Sequence, residues 1–273
     1  LSGPLHQMGL QILGTSVDSS DVAEDRERFQ KLMDELEPLG LKQPPSKIAR
    51  SIEEALNVSN EMGFPILIRP SYVLGGRGMR VVFSRESLAK YMQEAIEISD
   101  QKPVLMDRFL SNAIEVDVDG ISDGHETLIG GVMEHIEEAG IHSGDSACSL
   151  PVFTLKPGIV AKLRDHTRTL AKKLNVIGFI NVQFAVLGED IYVLEVNPRA
   201  SRTVPFVSKA VDAPLAKIAT RILLGKTLKQ QGYTKDFDLD LKMFHVKMPV
   251  FPFHKFPGVD VLLGPEMKST GEV

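Results

Sequence analysis

Asn181-Val182-Gln183-Phe184-Ala185-Val186-Leu187, Gly188-Glu189-Asp190 and Ile191-Tyr192-Val193-Leu194-Glu195-Val196-Asn197 follow one another without a break. Two runs rich in β-branched and aromatic residues flank a short polar segment that contains glycine, which predicts an antiparallel hairpin. With Gly188-Glu189-Asp190 as a three-residue loop, Leu187 opposes Ile191 and Gln183 lies across from Glu195. Their side chains then share a face, roughly 5 Å apart at Cβ. Asn197, two residues beyond Glu195, points the same way. A one-residue bulge in the loop would flip this register. One carboxylate and two amide oxygens on one face make a hard-oxygen site of few ligands. That set suits Mg²⁺, which keeps several waters and takes further ligands from phosphates. The competing reading is the polar face of an edge hairpin; the apolar setting of Val193, Leu194 and Val196 speaks against it.

Outward from the hairpin the pattern is mixed. Leu10–Leu13 reads as a short strand closing residues 1–20, and a helix with Val22, Phe29, Leu32, Met33 and Leu36 follows until Pro38 and Gly40 stop it. A capping box, Ser51-x-x-Glu54, opens the next helix, which ends at Gly63. Ile66–Arg69 and Met79–Phe83 are short strands around a loop at Val73–Gly78. Leu88, Tyr91, Met92, Ala95 and Ile96 mark a helical face. Val104–Met106, Ile114–Ile121 and Thr127–Met133 read as strands of one antiparallel sheet. Helices are expected from Pro157 to Leu174 and from about Pro214 to before Gly225. Strands in antiparallel sheets with interspersed helices define an α+β class and exclude an alternating βαβ series.

The composition bounds the function. At 273 residues the chain has room for about two domains. With 43% hydrophobic and 25% charged residues it belongs with folded globular proteins rather than disordered or fibrous ones. A net charge of −5 and the lack of a basic stripe argue against nucleic acid and against a membrane surface. The apolar runs are too short for a membrane-spanning helix. A single cysteine, Cys148, cannot pair internally, which fits a reducing, cytoplasmic compartment; beside Leu150 it reads as packing rather than as a nucleophile. The ends, Leu1 without Met and a run to Val273 with no terminating element, read as a segment of a longer polypeptide.

Further polar residues surround the hairpin reading. Arg199 and Arg202 follow Asn197 directly, and arginine is the side chain for bidentate phosphate contacts. Gly75-Gly76-Arg77-Gly78 lacks Walker spacing and opens no helix, so it is either a backbone cover for phosphates or a plain hairpin tip. Arg69 ends a buried strand and Arg108 follows another, both placed to reach phosphates. Glu115 opens an alternating strand and is suited to a ribose, although Asp117 and Asp119 on the same side also read as a polar face. Gly140–Ser146 is a small-residue loop rich in donors, and His142 in it is able to donate at neutral pH.

Taken in order, several of these stretches resemble the ATP-grasp superfamily, and within it closely the large subunits of carbamoyl-phosphate synthetases. They are Arg69–Gly76, Glu134–Glu137, Gly140–Ala147, Asn181–Phe184, Glu195–Arg199, Thr203–Ala210 and Phe256–Asp260. The wording His142–Cys148 and Thr203–Phe206 resembles the second, carbamate-phosphorylating half of those subunits. The resemblance implies an α+β ATP-grasp fold with two subdomains whose antiparallel sheets clamp the nucleotide. It implies a preceding domain's tail at 1–20, an ATP-grasp domain at 21–225 (smaller subdomain about 21–105, larger about 106–225) and a C-terminal extension at 226–273. ATP contacts are carried onto Arg69, Arg108, Leu110, Glu115, Gly140, Ile141, His142, Ser143, Gln183 and Glu195. Gln183, Glu195 and Asn197 would hold Mg²⁺ or Mn²⁺, and Arg199 and Arg202 the phosphoryl group or carbamate. The implied activity is ATP-dependent phosphorylation of carbamate to carbamoyl phosphate, for pyrimidine and arginine biosynthesis. The implied partners are the other large-subunit domains and a glutamine amidotransferase small subunit. Since the family passes carbamate through an interior tunnel, nucleotide binding is expected of this chain alone and net synthesis is not. Two other readings are another ATP-grasp carboxylate–amine ligase and a nucleotide-binding domain without turnover.

Overall fold

The computed structural model describes residues 2–70, 75–98, 103–255, 258 and 260–273; the loop reading at Val73 and Leu74, and the motif residues Ser71–Leu74, Phe256, Pro257 and Val259, lie outside these. In chain order the helices and strands begin with α1 (Ser2–Gln7), α2 (Val17–Glu24), α3 (Arg26–Leu36), β1 (Ser46–Ala49), α4 (Ile52–Met62), β2 (Ile66–Arg69), β3 (Arg80–Val82) and α5 (Arg85–Ile98). Next come β4 (Val104–Arg108), β5 (Ile114–Asp123), β6 (Thr127–His135), β7 (Cys148–Leu150), α6 (Pro157–Lys173), β8 (Ile177–Leu187) and β9 (Asp190–Asn197). The last are α7 (Val204–Ala210), α8 (Leu215–Leu223), β10 (His245–Lys247), β11 (Pro249–Val250) and β12 (Gly271–Glu272). The chain forms two compact units, one of Leu1–Lys42, Glu115–Glu134 and Cys148–Val246, the other of Gln43–Ile114, His135–Ala147 and Lys247–Val273.

The first unit is built on a six-stranded sheet in the order β10-β7-β6-β5-β8-β9. Pairing is antiparallel between β5 and β6 and between β8 and β9. Side chains alternate along a strand, and the odd-numbered Ile121 and Phe179 join an apolar cluster with Val204, Val207, Leu215, Ile218 and Ile222 of α7 and α8. Cys148 is fully buried in this cluster. On α6, Ile159, Leu163 and Leu170 are buried at helical spacing, and His166 meets Phe184 of β8 at 6.4 Å between ring centroids. The edge strand β9 is covered by Lys42, whose carbonyl accepts from the Val193 N–H at 2.8 Å.

The second unit holds a four-stranded antiparallel sheet, β1-β4-β2-β3. Its core joins Ile66, Ile68, Val82, Val104 and Met106 to Leu88, Met92 and Ala95 of α5 and Ala55 and Met62 of α4. The capping box of α4 forms: the Ser51 hydroxyl accepts from the Glu54 N–H at 3.1 Å, and the Glu54 carboxylate accepts from the Arg50 N–H at 2.7 Å.

Four local expectations are corrected. Leu10–Leu13 is irregular rather than a strand. The helix expected to carry both Val22 and Phe29 is two, because Asp25 turns extended and its carboxylate caps α3 by accepting from the Arg28 N–H at 2.9 Å. Val104–Met106 pairs with β1 and β2, not with the strands at 114–121 and 127–133. The hairpin tip is the two-residue Gly188-Glu189, with Leu187 opposite Asp190.

Candidate functional site

The hairpin register survives that last correction because a second irregularity offsets it. From Leu187↔Asp190 the pairing runs to Phe184↔Val193, and Leu194 is then left over as a β-bulge. Beyond it Gln183 faces Glu195, Val182 faces Val196 and Asn181 faces Asn197. A three-residue turn with an unbroken strand gives the same pairs, because the extra turn residue and the missing bulge cancel. Glu195 is exposed, and Gln183 and Asn197 are half-buried.

Below this rim lies a buried polar network of residues outside the candidate set read from the sequence. Asn181 of β8 donates through Nδ2 to Asp117 Oδ1 at 3.1 Å and to Asp119 Oδ1 at 2.9 Å, both on the neighbouring strand β5. All three side chains are buried, at 2–3% exposure, so the acids of β5 are not a solvated face. The Asn181 carbonyl oxygen accepts from Asn197 Nδ2 at 3.4 Å, and Asn197 Oδ1 accepts from Arg199 at 2.9 Å. Ser201 donates to Asp119 Oδ1 at 2.8 Å, and the Thr203 hydroxyl donates to Asp119 Oδ2. Burial pushes the Asp119 carboxyl up to about 6, against the hydrogen bonds from Thr203, Asn181 and Ser201, and the neighbouring Asp117 pushes the same way. Glu115, at the start of the same strand, is half-buried, and Arg202 is exposed.

The remaining candidates sit in the second unit. Arg69, the last residue of β2, pairs with Asp107 on the adjacent strand at 2.9 Å. Arg108 ends β4, and its guanidinium donates to the Met62 carbonyl, the last residue of α4. Leu110 opens a turn in which its carbonyl accepts from the Ala113 N–H at 3.2 Å. Gly140 has φ +93°, and a Cβ there would lie 2.7 Å from the Phe109 ring, so backbone and ring touch as only glycine allows.

After Gly140 the loop through Ile141, His142 and Ser143 is tied from several sides. His142 Nδ1 accepts from the Gly144 N–H at 3.0 Å, which puts the ring proton of the neutral form on Nε2. The His142 N–H donates to the Gly264 carbonyl at 2.8 Å. The buried Lys247 donates to the Ser143 carbonyl at 3.1 Å. Asp145, also buried, accepts from the backbone N–H groups of Lys268 and Ser269, each at 2.8 Å. The same C-terminal segment reaches the glycine turn, where the Met267 N–H donates to the Gly75 carbonyl at 2.8 Å. The structure thus gathers Gln183, Glu195, Asn197 and Arg199 at one end of the hairpin, and joins the 75–78 and 140–145 loops through residues 264–269.

The donor chemistry fits a hard dication. Glu195 offers a carboxylate and Gln183 and Asn197 offer amide oxygens, a set that takes Mg²⁺ or Mn²⁺ with waters and phosphates completing the shell. The Asn197 oxygen accepts from the cationic Arg199, so the oxygen end of this amide is the one presented to positive charge.

The two units, each a sheet with helices packed on it, have the ATP-grasp fold that solved structures share. Biotin carboxylase from Campylobacter jejuni, in a complex described as beta-gamma-ATP, matches with a TM-score of 0.75 at 18% identity, covering 91% of this chain and 55% of that one. The biotin carboxylase domain of Hydrogenobacter thermophilus 2-oxoglutarate carboxylase, solved with MgADP, ADP and bicarbonate, matches at 0.73 and 18%, again covering 91% and 55%. Residues 25–231 match the family described as carbamoyl-phosphate synthase L chain, ATP binding domain, and the chain belongs to that family. It is 57% identical over 273 residues to the carbamoyl phosphate synthase large chain of Neisseria meningitidis serogroup B, covering all of this chain and 25% of that protein. It is 55% identical over 287 residues to the C-terminal section of the Aquifex aeolicus large chain, covering 100% and 53%. The chain thus spans a quarter of the length of the first of these relatives and just over half of the second.

Proposed function

We propose that this chain binds ATP with Mg²⁺, or Mn²⁺ in its place, and phosphorylates carbamate to carbamoyl phosphate as part of a larger cytoplasmic synthase. The remaining large-chain domains and a glutamine amidotransferase small subunit would supply carbamate and ammonia to it. A carbamate oxygen attacks the γ-phosphorus in line, the bond from that phosphorus to the β,γ-bridging oxygen breaks, and ADP leaves with the electron pair. Gln183, Glu195 and Asn197 are the residues that would hold the cation, which when bound offsets phosphate charge and orients the triphosphate. Arg199 and Arg202 stabilise charge on the transferring group. Arg69, Arg108, Leu110, Glu115, Gly140, Ile141, His142 and Ser143, with Gln183 and Glu195, are assigned to the nucleotide. His142 donates from Nε2 and so favours an acceptor such as a ribose or phosphate oxygen.

The observation that supports this reading most is the register: Glu195 opposite Gln183 and Asn197 opposite Asn181, with Arg199 bonded to Asn197. Calorimetric titration of ADP with and without Mg²⁺ tests it. Binding that strengthens with Mg²⁺, and loses that gain in Glu195→Gln, is the expected result. Equal affinity with and without metal, or an unchanged gain in the variant, refutes the cation assignment.

A further inference from the structure

Hydrogen bonds run in one direction through the polar end of β5, β8 and β9. A carboxylate has no hydrogen to give, so Asp117 and Asp119 accept, and both accept from the same Asn181 NH₂ group. An amide whose NH₂ is so committed turns its oxygen the other way, and that oxygen meets the Asn197 NH₂. The Asn197 oxygen is then the end turned to Arg199.

We infer that Asp117 and Asp119 are positioning residues that, acting through Asn181, lock the Asn197 amide with its oxygen rather than its NH₂ toward Arg199 and the bound cation. The inference rests on the reading of Asn197 as a cation ligand. With the amide reversed, an NH₂ would face a guanidinium and a dication, two groups that repel it. Outer residues that orient a metal ligand have effects of this kind. Ser201 and Thr203 hold the Asp119 carboxylate in place and leave the direction of the chain unchanged. Two adjacent buried carboxylates cost desolvation and repel, whereas Ile121 and Phe179 farther along the same strands are apolar.

The test is the double variant Asp117→Asn/Asp119→Asn in this chain. Asparagine keeps the shape but donates as well as accepts, so the amide chain loses its single direction. Calorimetry with ADP, in EDTA and in Mg²⁺, gives the affinity gain due to metal, and urea unfolding gives stability. The expected result is a gain reduced about tenfold or more, with metal-free ADP affinity unchanged and stability not lowered. A gain equal to that of the wild type overturns the inference. A variant that does not fold shifts the decision to side-chain amide NMR of the metal-free wild-type chain. The relay requires the Asn181 and Asn197 NH₂ protons to be protected from exchange; free exchange overturns it. Absence of any metal-dependent gain in the wild type would instead count against the cation reading, and the NMR experiment would still judge the relay.

Discussion

Replacing Asp119 by asparagine removes a buried carboxyl group that holds its proton more tightly in the folded chain than in the unfolded one. Its pKa is about 6 in the fold against an ordinary 3.8. Where both forms are protonated, at low pH, its contribution to stability is fully present. Between the two values only the folded chain keeps the proton, so stability falls as pH rises, and the loss is complete above the folded value. The whole window amounts to about 3 kcal/mol, and roughly 1 kcal/mol of it lies between pH 5 and pH 7. Other shifted groups are common to both proteins. Asp123, although burial pushes it up, is held below its usual value by the Glu126, Leu228 and His125 N–H groups, and contributes with the opposite sign. A difference between two proteins cancels such terms. Urea unfolding followed by far-ultraviolet circular dichroism, at several pH values for wild type and Asp119→Asn, should show the variant gaining on the wild type by that amount between pH 5 and pH 7. A stability difference that stays constant with pH refutes the reasoning, since it would mean that Asp119 titrates alike in both states.

Two further outcomes can be checked on stability alone. Arg164→Ala leaves Asp236 and Asp238, both nearly buried and bonded to Arg164 at 2.9 and 2.7 Å, without their partner; a loss of about 3–5 kcal/mol in urea unfolding is expected, and a loss below 1 kcal/mol would mean that solvent or Arg168 compensates. Gly76→Ala places a Cβ 2.0 Å from the Pro265 carbonyl oxygen at φ +69°; beyond a backbone penalty of about 1–2 kcal/mol, residues 264–269 should become faster to cleave by protease, and unchanged cleavage would count against the contact.

Local chemistry was legible in the sequence wherever a residue acts on near neighbours. Ser51 and Glu54 announce the start of α4 because both halves of the capping box lie within one turn. The α2–α3 break was missed because Val22 and Phe29 keep helical spacing across it, and only the cap at Asp25 marks it. Strand partnership is less accessible. β4 has the alternation of a strand but nothing in it states which sheet it joins, and that choice is made by β1 and β2. The Leu194 bulge also lacks a local signal; the Gln183–Glu195 pairing was read correctly because two one-residue errors cancelled. Asp117, Asp119 and Asn181 stand 62 and 64 residues apart, so their meeting depends on β5 lying beside β8. The usable hint was that Asp117 and Asp119 alternate with Val116 and Val118, whose own side chains are buried.

The tie between Asp145 and the backbone of Lys268 and Ser269 joins residues 123 and 124 positions apart. During synthesis, the 140–145 loop and the glycine turn emerge from the ribosome long before the segment that fastens them. Three separate stretches make up that unit, so it is completed late, after most of the other unit has been made. A nascent chain stalled before residue 264 would carry the 140–145 loop without its anchor, and the long closure makes this the slow, non-local part of assembly.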